Sequence, residues 1–427
     1  MQNFDAFSHN SMNHFLKTAQ PDSFRNGRNG WRSPNGWRVE VLLVGVLILL
    51  AWGLSGCGIS PVDAEDRLFV PLAVEVLDEF VLPSTLEFEG TPVGGLSAIA
   101  YDRRGDRFYA LADDRSQLAP ARFYELKLTL DQESIESVKV KKLVILKDEN
   151  NQPFEAGEID PEGIVLTPRG TVIISSEGDS LKGINPFIGE FNLDTGQLIS
   201  TLPLPARYLP QIDPERSKVI TEGIRNNLGF ESLTTEANGA VRSPVEPFRI
   251  FTAVESALAQ DVDKDLPKLE QAKKVRWLHY SLSIGQPFLI SEHLYELEPR
   301  PKDAVMQGLS EILTLDAGGR FLALERSFSP ASGFGIKLYE VALGAATDTA
   351  AYETLRGDLE GVVAPARKRL LLDLNTTDLD LDNLEGMAIG PRLADGSYSL
   401  VLVSDNNFNA FQKTQFILLK LKGYEPG

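Results

Sequence analysis

The unit that decides the fold reads EGIVL at residues 162–166 and, after a turn at Pro168-Arg169-Gly170, TVIISSEGD at residues 171–179. A short apolar run led by a polar residue is followed by a second apolar run that ends in carboxylates. Such runs, rich in Ile and Val and separated by a turn that contains glycine, are typical of two paired antiparallel strands. The unit therefore predicts a β-hairpin with acidic residues where its second strand ends.

The same hairpin occurs in four other places along the chain. Glycines at positions 95, 163, 229, 308 and 386 mark the five copies and recur every 66 to 79 residues. The other copies are Gly95–Ile99 with Arg107–Arg115, Gly229–Leu233 with Phe248–Glu255, Gly308–Ile312 with Arg320–Arg326, and Leu384–Ala388 with Tyr398–Asn406. A third strand of alternating character follows each pair, and a fourth follows most of them. Repeated four-stranded antiparallel units predict an all-β protein, a β-propeller with five blades.

Two features of this architecture stay open in the sequence. A sixth blade could lie within Glu292–Gln307 or Ala342–Asp382, and a two-sheet β-sandwich is the alternative fold. The fifth copy has no obvious fourth strand before Gly427. We expect a strand within Leu68–Leu82 to supply it and close the ring, because this pairing removes two open sheet edges.

Alignment of the five copies places polar residues of every blade at one end of the central channel. At the start of the inner strand these residues are Ser97, Glu162, Glu231, Ser310 and Glu385. At the end of the second strand they are Asp113 or Asp114, Glu177, Glu255, Glu325 and Asp405. Carboxylates that converge on a narrow channel repel one another unless protons or cations neutralise them.

This convergence predicts a metal site, and oxygen ligands suit Ca²⁺, which accepts about six to eight of them in tolerant geometry. The predicted ligands are Asp113, Glu162, Glu177, Asp179, Glu231, Glu255, Glu325, Glu385 and Asp405, and the candidate catalytic residues among them are Glu162, Glu231 and Glu385. Arg115, Arg225 and Arg326 lie near the same strand ends, where they would bind an anionic substrate group or pair with the carboxylates. In the alternative interpretation, the acids only end strands, accept backbone hydrogen bonds and face solvent.

The motifs, taken in this order, resemble those of a known family. The resemblance is carried by Gly94–Ser97, Asp160–Gly163, Ser176–Gly178, Asn227–Glu231, Glu255 and Asn383–Met387. They are similar to the phytase-like family, described as "esterase-like activity of phytase", from about Phe80 to the C-terminus. The resemblance implies a β-propeller and a hydrolase of ester or phosphoester bonds. The chain departs from calcium-dependent propeller phytases because it lacks a dense Lys and Arg lining for phytate.

Two functions from different classes follow. In the first, Ca²⁺ in the channel polarises the substrate of an ester or phosphoester hydrolase, and Glu162, Glu231 or Glu385 acts as ligand or general base. In the second, a non-catalytic propeller binds a ligand or a partner protein at the cell envelope. The sequence has no Gly-x-Ser-x-Gly motif, so a serine esterase of the α/β-hydrolase type has no support.

The N-terminal segment, residues 1–57, predicts export. It combines a long lead that includes Arg32 and Arg38, an apolar core at residues 41–54 and the run Leu54-Ser55-Gly56-Cys57. This run resembles the lipobox of bacterial lipoproteins, whose cysteine is lipidated and becomes the new N-terminus, and the core is shorter than the roughly 20 residues that span a bilayer. An ordinary signal peptide and an uncleaved anchor are the alternatives. Because Gly58 and not aspartate follows Cys57, we expect the lipid to anchor the protein at the periplasmic face of the outer membrane.

Charge restricts the partners of the exported part. The net charge of the chain is −18, and without residues 1–57, which contain five basic and three acidic side chains, it is −20. A surface of this sign repels nucleic acid and anionic lipid, so we expect no nucleic-acid partner and membrane contact only through the lipid on Cys57. A small ester or phosphoester is the expected substrate, and a monomer the expected state.

The predicted segments are the signal at 1–57, a linker and closing strand at 58–79 and the propeller domain at 80–427.

Overall fold

The computed structural model describes residues 68–216, 218–236, 246–267, 270–283 and 286–425. The predicted signal segment, including Cys57, lies outside these residues. In the part of the chain that is described, no helix has the length and apolar character needed to cross a membrane. The helices there are three short 3-10 turns, Ala206–Tyr208, Ala259–Asp261 and Leu374–Thr376.

Five four-stranded antiparallel sheets contain most of the strand residues of the described chain. The strands of the first blade are Leu96–Asp102, Arg107–Ala112, Arg122–Leu130 and Ile135–Ile145, and those of the second are Pro161–Leu166, Thr171–Ser176, Phe187–Asn192 and Leu198–Thr201. The third blade contains Phe230–Thr235, Phe248–Val254, Lys274–Leu282 and Phe288–Glu296, and the fourth contains Met306–Thr314, Arg320–Ser329, Gly333–Ala342 and Arg367–Asp373. The fifth contains Leu384–Arg392, Tyr398–Ser404, Thr414–Lys422 and Ala73–Leu82. Two short strand pairs lie in the connections, Glu87–Phe88 with Thr91–Pro92 and Gln211–Ile212 with Ile220–Glu222.

The predicted all-β propeller with five blades is confirmed. The two segments that could have held a sixth blade contribute instead to the blades beside them. Residues 292–296 end the outer strand of the third blade, and residues 367–373 form the outer strand of the fourth. A β-sandwich is therefore not the architecture of the described chain.

The fifth blade contains strands from both ends of the described chain. Ala73–Leu82 is antiparallel to Thr414–Lys422, from Ala73 opposite Lys422 to Leu82 opposite Thr414. The register shifts once, between Val76 and Asp78. Ala73–Leu82 is thus the fourth strand of the fifth blade, and it covers the edge of Thr414–Lys422 that would otherwise be open.

The inner strands pack around one axis. Each contacts the inner strand of the next blade, and that of the fifth blade contacts that of the first. Apolar side chains fill the space between neighbouring blades, as where Phe321 of the fourth blade lies edge-on to Phe251 and Trp277 of the third, at 4.8 and 5.0 Å between ring centroids. Full burial of such a side chain contributes about 1.5–3 kcal/mol. Because every inner strand is the first of its blade, the starts of all five lie at one end of the channel.

Candidate metal and catalytic site

A β-bulge interrupts the ladder near the start of every inner strand. The bulged residues are Ser97, Glu162, Glu231, Ser310 and Glu385, joined in the second blade by Gly163. A bulge leaves its residue unpaired and re-aims its side chain. The five residues made equivalent by the sequence alignment thus hold equivalent places in the fold.

A second set of equivalent residues follows the paired end of the second strand. In four blades the residue is an acid whose backbone N–H donates to the carbonyl oxygen just before the inner strand. These bonds join Asp113 to Gly95 (2.6 Å), Glu177 to Asp160 (3.0 Å), Glu255 to Gly229 (2.6 Å) and Asp405 to Asn383 (3.0 Å). In the fourth blade Leu309 is opposite Glu325 and Gly308 is opposite Arg326. The equivalent position there is held by Arg326.

Glu325 lies outside this set, which corrects the sequence alignment by one residue. Its carboxylate accepts hydrogen bonds from Tyr295 Oη at 2.7 Å and from Lys368 Nζ at 2.6 Å. Consecutive residues of a strand point to opposite faces of the sheet, so a shift of one residue exchanges the two faces. Glu325 therefore contacts groups from the outer strands of the third and fourth blades, and this placement gives no support to its predicted role as a metal ligand.

Eight carboxylates and two arginines meet at the acidic end of the channel, and we call this group the carboxylate hub. Its members are Asp113, Asp160, Glu162, Glu177, Glu231, Glu255, Glu385 and Asp405, with Arg115 and Arg326. All are buried except Asp113 and Arg115, which are half-buried. Asp160 is absent from the predicted ligands. The sequence did contain an indication that Asp160 belongs to the site. Asp160 lies two residues before the bulged Glu162, in the Asp160–Gly163 motif that carries the family resemblance.

Arg326 neutralises one side of the hub. It donates to Glu255 Oε1 at 2.7 Å, to Asn383 Oδ1 at 2.5 Å and to Glu385 Oε1. Asn383 Nδ2 also donates to Glu385 Oε1, at 3.0 Å. Burial raises the pKa of Glu385 to about 7, although the nearby Arg326 charge acts in the opposite direction. This side of the hub therefore already contains its cation.

The opposite side holds more negative charge than its cation balances. Carboxylate oxygens of Asp113, Asp160 and Glu162 lie within 4.8 Å of one another. Arg115 Nε donates to Asp160 Oδ1 at 2.5 Å, while Asp113 Oδ1 and Asp160 Oδ2 are buried without a hydrogen-bond partner. Burial, and next the charge of Asp113, raise the pKa of Asp160 to about 8. Such a group of hard oxygen donors suits a cation of the Ca²⁺ or Mg²⁺ type.

Four further acids of the hub also have raised pKa values. Burial is the main cause that raises the pKa values of Glu162, Glu177, Glu231 and Asp405 well above their ordinary range, and the charges of neighbouring hub acids add to it. Glu177 Oε1 accepts a hydrogen bond from the backbone N–H of Gly229, whereas its Oε2 is buried without a partner. The hub as a whole favours bound protons or a bound cation over free carboxylates.

Glycines at the repeat starts make room for hub acids of the preceding blade. A Cβ atom on Gly229 would lie 3.2 Å from the side chain of Glu177, and one on Gly308 would overlap the side chain of Glu255. Gly229 and Gly308, two of the glycines that mark the repeats, thus allow adjacent blades to approach closely.

Small residues and one acid follow the bulges of the inner strands. Glu311 follows the bulge of the fourth blade, and its Oε1 accepts hydrogen bonds from the backbone N–H groups of Leu233 (3.1 Å) and Ile312 (2.9 Å). A Cβ atom on Gly386 would lie 2.8 Å from Ala98 Cα, so the strands touch here.

Two predicted site residues have other partners. Asp179 pairs with Lys182 Nζ at 2.7 Å within the same loop. Arg225 donates to the backbone oxygen of Ala257 at 2.8 Å and to Ser256 Oγ at 2.7 Å. Neither contacts the oxygens of the Asp113, Asp160 and Glu162 group, although Arg225 lies beside Glu255 in the wall of a neighbouring pocket.

A comparison with protein families identifies one that matches most of the chain. The model of the phytase-like family, described as esterase-like activity of phytase, matches residues 91–408. Among curated proteins, none matches the chain significantly.

Solved structures resemble the chain only distantly. A xylan beta-1,4-xylosidase from Bacillus halodurans C-125 is 9% identical over 77% of this chain and 53% of its own length, with a TM-score of 0.42. The catalytic domain of a Coprinopsis cinerea GH62 alpha-L-arabinofuranosidase is 9% identical over 84% of this chain and 99% of its own, with a TM-score of 0.39. The Dos1 propeller is 9% identical over 79% and 71%, with a TM-score of 0.31. Similarities this low carry no argument about activity.

Proposed function

The chain belongs to the phytase-like family, as its motifs predict, and on this basis we propose that the carboxylate hub is the active site of a metal-dependent hydrolase of ester or phosphoester bonds. The observation that carries the proposal is the convergence of buried oxygens without hydrogen-bond partners, Asp113 Oδ1, Asp160 Oδ2 and Glu177 Oε2. An unpartnered buried carboxylate oxygen is costly, and a divalent cation removes that cost.

Asp113, Asp160 and Glu162 are the residues that would hold the cation, and Ca²⁺ is the expected ion. Their oxygens already lie within one coordination sphere's width of each other, at 4.8 Å or less. When bound, the ion supplies a Lewis acid that polarises the substrate oxygen. Arg115, through its bond to Asp160, holds one of the ligands in place and adds positive charge at the site.

Glu231 is the best placed general base. Its side chain has no hydrogen bond or ion pair with any described residue, whereas Glu385 is engaged by Arg326 and Asn383. Burial, and next the charge of Glu255, raise the pKa of Glu231 above its ordinary range, which makes it a stronger base than a free glutamate. A base that accepts a proton from water contributes about 10²- to 10⁴-fold to the rate.

Turnover of p-nitrophenyl butyrate and p-nitrophenyl phosphate, measured with calcium and after chelation, tests this proposal. We expect activity with calcium, and losses of about 10²- to 10⁴-fold in Glu162→Gln and Glu231→Gln variants that still fold. Glu158→Gln, the same change at an exposed position outside the hub, is the matched control and keeps full activity. If a broad ester panel gives no turnover in the presence of calcium, the alternative of a non-catalytic binding propeller replaces the enzyme.

Ion binding is measured separately from activity. Terbium luminescence or calorimetry with calcium reports on the ligand set directly. We expect Asp160→Asn to abolish binding and Asp179→Asn to retain it, because the carboxylate of Asp179 pairs with Lys182. Equal loss in both variants would contradict the assignment of the ion to Asp113, Asp160 and Glu162.

We also propose that the enzyme is exported and anchored by a lipid on Cys57, at the periplasmic face of the outer membrane. The support for this is the apolar core at 41–54 and the run Leu54-Ser55-Gly56-Cys57. Labelling with palmitate is expected for the wild-type chain and absent in Cys57→Ser, which should leave the membrane fraction. A Cys57→Ser protein that stays in the membrane would favour an uncleaved anchor.

A further inference from the structure

Three basic residues line a pocket of about 240 Å³ beside the hub. Arg225 comes from the connection between the second and third blades, Lys273 from a loop of the third, and Arg300 from the connection to the fourth. We call these three residues the cationic pocket. Glu255 of the hub lies in the same wall, so the pocket and the hub are neighbours.

The charges of the cationic pocket are not balanced by carboxylates. Among the described residues, no acid lies within ion-pair distance of Arg225, Lys273 or Arg300. Arg300 donates only to the backbone oxygen of Val305, at 3.2 Å, and its Nε is buried without an acceptor. The Nζ atom of Lys273 has no hydrogen-bond partner among the described residues either. Arg225 already donates to Ala257 and Ser256, whereas the buried Nε of Arg300 costs free energy unless a ligand accepts its hydrogen bond.

The two acids of the pocket wall are already engaged elsewhere. Glu255 pairs with Arg326 at 2.7 Å, and Glu298 pairs with Lys368 at 3.1 Å. Neither of these cations lines the pocket. Three basic residues therefore face two acids in the lining of the pocket, in a chain whose net charge is −18. A local positive field concentrates small anions against the overall charge of the protein.

We propose that the cationic pocket binds an oxyanion group, a carboxylate or a phosphate, carried by the ester substrate. This inference rests on the proposed function and names its substrate class, esters with one fixed negative charge beside the bond that is cleaved. The planar guanidinium group of Arg300, whose Nε has no acceptor, matches the paired oxygens of such a group. With the anion held there, the rest of the substrate reaches past Glu255 to the hub.

A matched pair of esters tests the pocket. The uncharged member is p-nitrophenyl butyrate, and the charged member is mono-p-nitrophenyl succinate. In Arg300→Gln and Lys273→Gln we expect KM for the succinate to rise about tenfold or more, while KM for the butyrate stays unchanged. Lys302→Gln is the matched control, because Lys302 is exposed in the same connection as Arg300 and does not line the pocket. Arg225 is left intact because it anchors the loop at Ala257.

Calorimetry with inorganic phosphate, in calcium-free buffer, gives a readout that needs no turnover. We expect phosphate to bind the full-length wild-type protein and Lys302→Gln, and to bind Arg300→Gln about tenfold or more weakly. If phosphate binds in this way but no ester is cleaved, the pocket does bind an oxyanion and the proposed hydrolase function is wrong. If esters are cleaved while phosphate does not bind, or binds all variants alike with an unchanged preference between the two esters, the pocket is overturned.

Discussion

Arg326 is the residue that sets the charge balance of the hub. Four blades carry an acid at this position, and in the fourth blade an arginine replaces it and reaches Glu255 and Glu385. The sequence placed Glu325 here instead, because Glu325 and Arg326 are both polar and either could follow the apolar run. The choice between them depends on which residue is opposite Gly308, which is a matter of strand register.

Replacement of Arg326 by glutamine removes the one arginine that bonds Glu255 and Glu385. We expect Arg326→Gln to lower the free energy of unfolding by about 3–5 kcal/mol, because a buried ion pair that loses one partner leaves a buried charge uncompensated. Urea unfolding at about pH 7 without calcium measures this loss.

The control for this change is Arg392→Gln. Arg392 pairs at 3.7 Å with Glu425 at the surface, where ion pairs contribute about 0–1 kcal/mol. Similar losses in the two variants would mean that Arg326 does not carry the charge balance of the hub.

At the scale of the strand, the bulge and the small residues beside it bring the blades together. A small residue follows the bulged residue in four blades, namely Ala98, Gly163, Ser232 and Gly386, whereas Glu311 follows it in the fourth blade. The strands therefore approach closely enough for backbone atoms of adjacent blades to touch at Gly386 and Ala98. Only a residue without a Cβ atom fits this contact.

Gly386→Ala tests this close approach. The added Cβ would lie 2.8 Å from Ala98 Cα and 2.9 Å from Ile99 N, which are backbone atoms that cannot turn aside. We expect a loss of about 1–3 kcal/mol in the free energy of unfolding, the usual cost of overpacking. In Gly344→Ala, where no atom lies within 4 Å, we expect no loss and a gain of up to about 1 kcal/mol from reduced freedom of the unfolded chain. Equal stability of the two variants would contradict the contact.

At the scale of the whole molecule, the propeller concentrates negative charge at one point of its axis. Five inner strands each deliver polar groups to the same end of the channel, and the hub holds eight carboxylates against two arginines. Folding therefore brings together charges that the unfolded chain keeps apart. The free energy of this arrangement must depend on pH and on divalent cations.

This dependence has a definite sign. In the unfolded chain the carboxyl pKa values are about 4, whereas folding raises those of Glu385 to about 7 and Asp160 to about 8. Between these values the folded state binds more protons than the unfolded state, so stability is fullest below the unfolded pKa values and is lost as pH rises through the folded ones. We expect the Tm of the calcium-free protein to fall by several degrees from about pH 5 to about pH 8.

Calcium should reverse most of this fall, and its stabilising effect should grow with pH, because the ion competes with protons for the same oxygens. Differential scanning fluorimetry at several pH values, with calcium and with chelator, gives both curves. Asp160→Asn should flatten the calcium effect. A calcium-free Tm that is level or rises over this range would contradict the charge accumulation described for the hub.

The sequence by itself determined the strands, the turns between them, the five repeats and the equivalent polar residue at the start of each inner strand. These depend on local alternation of apolar and polar residues and on glycine at fixed places, which a linear pattern records. It also carries the lipoprotein prediction, since residues 1–57 lie outside the described part of the chain.

Only the tertiary structure decided which side chains meet. It put Arg326 where Glu325 was expected, added Asp160 to the proposed ligands, separated Asp179 from them, and brought Arg225 to Lys273 and Arg300. The physical reason is that contacts between blades depend on strand register and on the radial packing of sheets far apart in the chain. A shift of one residue in a strand leaves the local pattern of polarity almost unchanged but turns a side chain from the channel to the opposite face.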